Sequence, residues 1–143
     1  LVCPAGTPAT LRAAVQAGAD AVYCGFRDET NARNFPGLKF SGEEMAEGVR
    51  LAHDHGSKVL VAINTFARVN DVDLWKKAAD TAAECGANAI IAADIAVLDH
   101  VGERVKGAAA RRKAGAGTFV EGAFRVAREA RGRECRLRSP DPA

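Results

Sequence analysis

Two hydrophobic spacings alternate along this chain. Short runs that are apolar on both faces are separated by stretches in which apolar residues recur every three or four positions. Leu1-Val2-Cys3 opens inside a strand. Thr7 then reads as an N-cap, with Pro8 in the first helical position. Leu11, Ala14 and Val15 form one helical face, and Gly18 is the stop. Ala21 to Cys24 is the second strand. Ser41-Gly42-Glu43-Glu44 has the form of a capping box, followed by the buried stripe Met45, Val49 and Ala52 and a stop at Gly56. Lys58 to Ile63 is a third strand. Asp71 caps a third helix, with Leu74, Trp75, Ala78, Ala79 and Ala82 inward and Gly86 at its end. Ala89 to Ala93 is a fourth strand, and a short helix follows from about Ile95 to Val101.

Strands apolar on both faces belong to parallel sheets covered by helices. The phrases Gly18-Ala19-Asp20-Ala21-Val22 and Gly86-Ala87-Asn88-Ala89-Ile90 each carry a helix end into a strand start, so the chain repeats a strand–helix unit. Right-handed crossovers then make the sheet parallel. The fold class is α/β, and a (β/α) barrel and a doubly wound open sheet both fit. Four strands are half of the eight a barrel needs. The expectation is therefore a partial (β/α) TIM-barrel-like unit over residues 1–104 and a divergent basic tail over 105–143. A chain that opens inside a strand and without Met is read as a piece of something longer.

Charge supports that division. Residues 1–104 hold 10 Lys and Arg against 14 Asp and Glu, whereas residues 105–143 hold 10 against 4. Within the tail, Phe119 to Glu134 fits a basic helix, and Arg138 to Ala143 has the composition of a disordered end. The tail carries no nucleic-acid motif, so nucleic acid is not the expected partner. No apolar run is long enough to span a bilayer. The four cysteines, Cys3, Cys24, Cys85 and Cys135, form no C-x-x-C pair. They read as reduced thiols in a cytoplasmic protein, packed as small hydrophobes.

Function in parallel α/β folds gathers at the carboxyl ends of the strands. The richest such segment is Gly25 to Phe35, directly after the second strand. Asn31, Arg33 and Asn34 supply two amides and a guanidinium, bracketed by Phe26 and Phe35. That set suits a carboxylate or a planar oxygenated ring. Asn64 and Asp94 end the third and fourth strands, and with the loop residues they are candidates for one substrate pocket. Each also has a structural reading: Asn64 as a partner of loop backbone, Asp94 as a helix cap, and Asp28 with Arg33 as a local ion pair. No strand end carries a Lys for a Schiff base, and there is no G-x-S-x-G elbow or phosphate loop. His53 and His55 lie two apart on a helix and cannot share a metal ion; His55 fits the last carbonyls of its helix, and His100 a solvated surface.

Leu1-Val2-Cys3-Pro4-Ala5-Gly6 and Ala17-Gly18-Ala19-Asp20-Ala21-Val22-Tyr23 resemble the start of the collagenase-like peptidases of family U32. The stretch Asp28 to Phe40, with Ala62-Ile63-Asn64-Thr65-Phe66 and Ala92-Ala93-Asp94-Ile95-Ala96-Val97-Leu98, is similar to the UbiU branch of oxygen-independent ubiquinone biosynthesis. The resemblance ends near Arg104, where a truncation or a change of reading frame would explain the loss of pattern. It implies a barrel-like domain, a [4Fe-4S] cluster in the full-length protein with ligands absent from this chain, and a UbiV-like partner protein. It also implies hydroxylation of a ubiquinone precursor with prephenate as oxygen donor. A family protease, an RNA-base hydroxylation protein and a non-catalytic docking subunit are the alternatives, and this stretch alone is expected to be inactive.

Overall fold

The computed structural model describes residues 1–33, 37 and 40–113. Strands and helices alternate in the order β1 (Val2–Pro4), α1 (Pro8–Gln16), β2 (Ala21–Cys24), α2 (Gly42–Asp54), β3 (Lys58–Ile63), α3 (Val72–Glu84), β4 (Ala89–Ala92) and α4 (Ile95–Lys113). All three strand pairs are parallel, and the sheet order β1-β2-β3-β4 is the chain order. A doubly wound sheet reverses direction at a switch point; this one does not. It is the singly wound arrangement of a barrel segment, left open among the described residues.

Capping explains where the first two helices begin. Thr7 and Thr10 form a reciprocal capping box, and so do Ser41 and Glu44. Gly18, Gly56 and Gly86 all adopt left-handed φ values, between 75° and 91°, where they turn a helix end toward the next strand. Side-chain parity then divides the sheet. Val22, Cys24, Val59, Val61 and Ile63 face the helices and join Leu11, Met45, Val49, Trp75 and Ala82 in one core. Val2, Tyr23, Leu60, Ala62 and Ile91 belong to the opposite face, which no described helix covers.

Several expectations are corrected. Leu74 is 39% exposed, because Trp75 beside it takes the inward position on α3. Asp71 holds the N-cap position of α3 but makes no side-chain capping bond. The last helix is not short: α4 runs through residue 104 to Lys113, carried by Ala108-Ala109-Ala110 and the basic residues after them, which favour helix without any apolar stripe. His100 is not simply solvated. Its Nε2 lies 2.7 Å from Asp80 Oδ1, the same oxygen that accepts from Arg104 Nε at 2.7 Å, so α4 is tied to α3. His55 Nδ1 does meet a late carbonyl of its helix, that of Leu51, at 2.9 Å. The basic helix over 119–134, the terminal segment, Asn34, Phe35 and Cys135 lie outside the described residues.

Candidate functional site

The carboxyl ends of β1, β2 and β3 surround a cleft of about 430 Å³. It is lined by Pro4, Ala5 and Gly6 from the end of β1, Tyr23, Cys24 and Gly25 from the end of β2, Asn31 and Arg33 from the loop that follows, and Ala62 and Asn64 from the end of β3. The loop after β2 closes over its own stem. Phe26 and Phe40 form a parallel bridge, Arg27 N donates to Phe40 O, and both aromatic rings are buried. Phe26 is therefore core, not a ligand-stacking ring as its place in the sequence suggests.

The polar residues of this loop have mostly structural partners. Asn31 is 8% exposed; its Nδ2 donates to Ala62 O at 3.3 Å, and its Oδ1 accepts from Arg33 N at 2.9 Å. Asn64 Oδ1 accepts from Ala32 N at 2.9 Å. Thr65 extends the seam: its N donates to Thr30 O, its Oγ1 donates to Glu29 O at 2.6 Å, and that hydroxyl accepts from Trp75 Nε1 at 3.0 Å. Asp28 turns into the loop and accepts from the backbone N and Oγ1 of Thr30. Together these bonds staple the β2 loop onto the end of β3. A site held by such supporting contacts keeps its geometry without a ligand.

Arg33 is what this scaffold presents. Its backbone is fixed through Asn31, its side chain lines the cleft, and among the described residues its guanidinium forms no ion pair. A planar guanidinium in a cleft that Tyr23 also lines matches a carboxylate on a small, flat ligand.

Asp94 stands apart from the cleft lining. Its Oδ2 accepts from Ala67 N at 2.9 Å and its Oδ1 from Ala96 N at 2.8 Å. It caps α4 and anchors the loop after β3. The Ala67 amide first, then those of Ala96 and Val97, hold its carboxyl below the usual carboxylate range, with desolvation opposing. Of the five candidates, Asn31, Arg33 and Asn64 are brought together, Asp94 serves as a cap, and Asn34 lies outside the described residues. Tyr23 and Gly25 do not stand out as site residues in the sequence. The signal for Tyr23 is strand parity, which places it on the uncovered face with Ala62.

The described cysteines, Cys3, Cys24 and Cys85, are all free thiols. Cys24 Sγ contacts Met45 Sδ at 3.5 Å inside the core, and burial pushes its thiol up to about 12. Cys85 Sγ contacts Gly42 O at the start of α2. Among the described residues no three metal-ligating side chains form a group. An iron–sulfur cluster therefore does not fit these thiols. Among the described residues no helix is long and apolar enough to cross a membrane.

Residues 6–127 match the family model of peptidase family U32, running past Arg104. The chain belongs to that family. It is 34% identical over 106 residues to an uncharacterized protease of Methanocaldococcus jannaschii, covering 72% of this chain and 25% of that protein. It is 34% identical over 102 residues to tRNA hydroxylation protein P1 of Bacillus subtilis, covering 69% and 23%. It is 32% identical over 102 residues to the 23S rRNA 5-hydroxycytidine C2501 synthase of Escherichia coli, covering 69% and 15%. The chain thus spans a quarter or less of the length of these relatives.

Proposed function

We propose that this chain is the ligand-binding, amino-terminal part of an oxygen-independent hydroxylation protein, and that its cleft holds a small planar carboxylate. The observation that carries this reading is Arg33: a guanidinium with no ion pair among the described residues, at a cleft where the Asn31 amide and the Asn64 Oδ1 are already bonded within the loop. Arg33 grips the carboxylate in a forked pair of hydrogen bonds. The Tyr23 ring and the Ala5-Gly6 backbone border the rest of the ligand. The family's hydroxylation-named relatives support the reaction class.

The finer assignment is hydroxylation of a ubiquinone precursor, with prephenate as the carboxylate-bearing oxygen donor and a UbiV-like protein as partner. It rests on the similarity of Asp28 to Phe40 to the UbiU branch. The cluster that such a reaction uses is assigned to segments outside residues 1–113. A second reading, hydroxylation of an RNA base, is favoured by the names of the B. subtilis and E. coli relatives. Against it stands the charge of residues 1–104, 14 acidic to 10 basic, which makes a poor phosphate surface. A peptidase reading would need an activated nucleophile. Cys24 turns its thiol into the core against Met45, where burial holds it neutral.

The test is to remove the full-length protein from its host, grow the cells without oxygen, and analyse quinone intermediates and digested tRNA and rRNA by mass spectrometry. Accumulation of an unhydroxylated ring compound with normal nucleosides is the expected result. Loss of a hydroxylated nucleoside with normal quinones would establish the second reading instead. No change in either, with gelatin cleavage lost from extracts, would return the protein to the peptidases.

A further inference from the structure

Residues 64–71 join β3 to α3. Phe66 is 75% exposed and Val69 is 97% exposed, so the large apolar side chains of this loop do not anchor it. Only Thr65 and Ala67 within it are half-buried, and each is fixed by hydrogen bonds to another segment. Toward the cleft, Thr65 bonds Thr30 O and Glu29 O, and Asn64 accepts from Ala32 N, one residue before Arg33. On the other side, Ala67 N donates to Asp94 Oδ2 at 2.9 Å. Arg68 meets Glu29 at 3.2 Å, but both side chains are more than half exposed, and such a pair adds little. One device therefore occurs twice. A polar side chain just past the end of a strand accepts from a backbone N–H in the loop after the preceding strand: Asn64 for the β2 loop, Asp94 for the β3 loop. The two act in series, because the loop that Asp94 holds is the one that bears Asn64.

We propose that Asp94, which does not line the cleft, is a positioning residue for Arg33: it holds the β3 loop, and that loop holds the backbone beside Arg33. The link stands on hydrogen bonds alone, whereas its effect on a ligand rests on the carboxylate reading above. Asp94 has one task for each oxygen. Oδ1 accepts from Ala96 N at the start of α4, and Oδ2 accepts from Ala67 N. Asn caps a helix as well as Asp does, but its side chain has one oxygen. The helix offers that oxygen two amides, those of Ala96 and Val97, against the one of Ala67. Asp94→Asn therefore keeps the cap and releases the loop, with an NH2 group turned toward the Ala67 N–H. Asp94→Ser does the same, since its single hydroxyl oxygen also caps and cannot serve both sides.

Amide hydrogen exchange of the 143-residue chain, read by NMR, tests the link. Exchange from a loop proceeds by local opening and so reports that loop rather than global stability. Asp94→Asn is expected to speed exchange at Ala32, Arg33 and Thr65 by about threefold or more, with helical circular dichroism retained. Val101→Ala opens a cavity under α4 and leaves the Asp94 bonds in place; it is expected to lower stability with those loop amides unchanged. Should Asp94→Asn fail to fold, Asp94→Ser is read in the same way. Faster exchange confined to Ala67, or an equal rise in Val101→Ala, would overturn the proposal. Prephenate titration follows on the same samples. Binding weakened about threefold or more in Asp94→Asn supports both the link and the carboxylate site. Equal affinity in the parent chain and Asp94→Asn would overturn the positioning role. A parent chain that binds no prephenate, with the loop amides released in Asp94→Asn, would contradict the carboxylate site and support the link.

Discussion

The carboxamide of Asn31 occupies the space where any side chain at residue 25 would begin. A Cβ built on Gly25 would stand 1.8 Å from Asn31 Nδ2 and 2.8 Å from its Cγ. Gly25 is needed for room, so that Asn31 can cross the end of β2 and reach Ala62 O on β3. The β2 loop, and Arg33 with it, is positioned by this absence of a side chain.

Gly25→Ala is therefore expected to cost about 2–4 kcal/mol, combining overpacking with loss of the Asn31 bonds. Asn31→Ala alone is expected to cost about 1–3 kcal/mol, since it strands Ala62 O and Arg33 N. Urea denaturation of both variants and of their combination checks the relationship. The combination should cost less than the sum by about 1 kcal/mol or more, because removing the amide relieves the collision. Simple additivity would show that the two residues do not share this space.

Thr65 joins three segments through one hydroxyl, donating to Glu29 O and accepting from Trp75 Nε1. Thr65→Val keeps the shape and removes both bonds. A loss of about 1–2 kcal/mol is expected, with a change in Trp75 emission as its indole loses its partner. Unchanged emission would mean that the indole bond does not persist in solution.

Asp94 makes a pH-dependent contribution. Its folded-state value lies below the ordinary carboxylate value, chiefly through the Ala67 amide. The stabilisation is therefore complete above the ordinary value, near about 4, and is lost as pH falls through the depressed folded value. Thermal melts should show Asp94→Asn less stable than the parent chain at neutral pH, and the two should converge in acid. Parallel curves across that range would remove Asp94 as a charged cap.

Cys24 should resist alkylation in the native chain at mildly alkaline pH, because burial holds its thiol at about 12. Mass-spectrometric peptide mapping should find Cys24 modified only after unfolding. Ready native labelling would contradict its place in the core with Met45.

Much of this architecture is legible in the chain. Apolar runs, capping pairs and stop glycines mark β1 to β4 and α1 to α3, because each depends on neighbours in sequence. What eludes sequence depends on partners far along the chain. Asn31 and Asn64 stand out as polar groups at strand ends, yet their hydrogen bonds go to Ala62, Arg33 and Ala32, and spacing does not name those acceptors and donors. Gly25 looks like an ordinary turn residue until the Asn31 amide is seen above it. Leu74 and Trp75 are neighbours with equal claim to the core, and the choice falls to packing. The length of α4 escapes because helix propensity, not periodicity, carries it past Arg104.

Binding of a small carboxylate by Arg33 in the β1–β3 cleft is tested most directly by amide NMR titration of the chain with prephenate. The expected result is a set of saturable shifts confined to Ala5, Gly6, Tyr23, Gly25, Asn31 and Asn64. Binding should be weakened about tenfold or more in Arg33→Ala, and that substitution should change stability by no more than about 0.5 kcal/mol. Shifts centred elsewhere, or equal affinity in Arg33→Ala, would contradict a carboxylate site at Arg33.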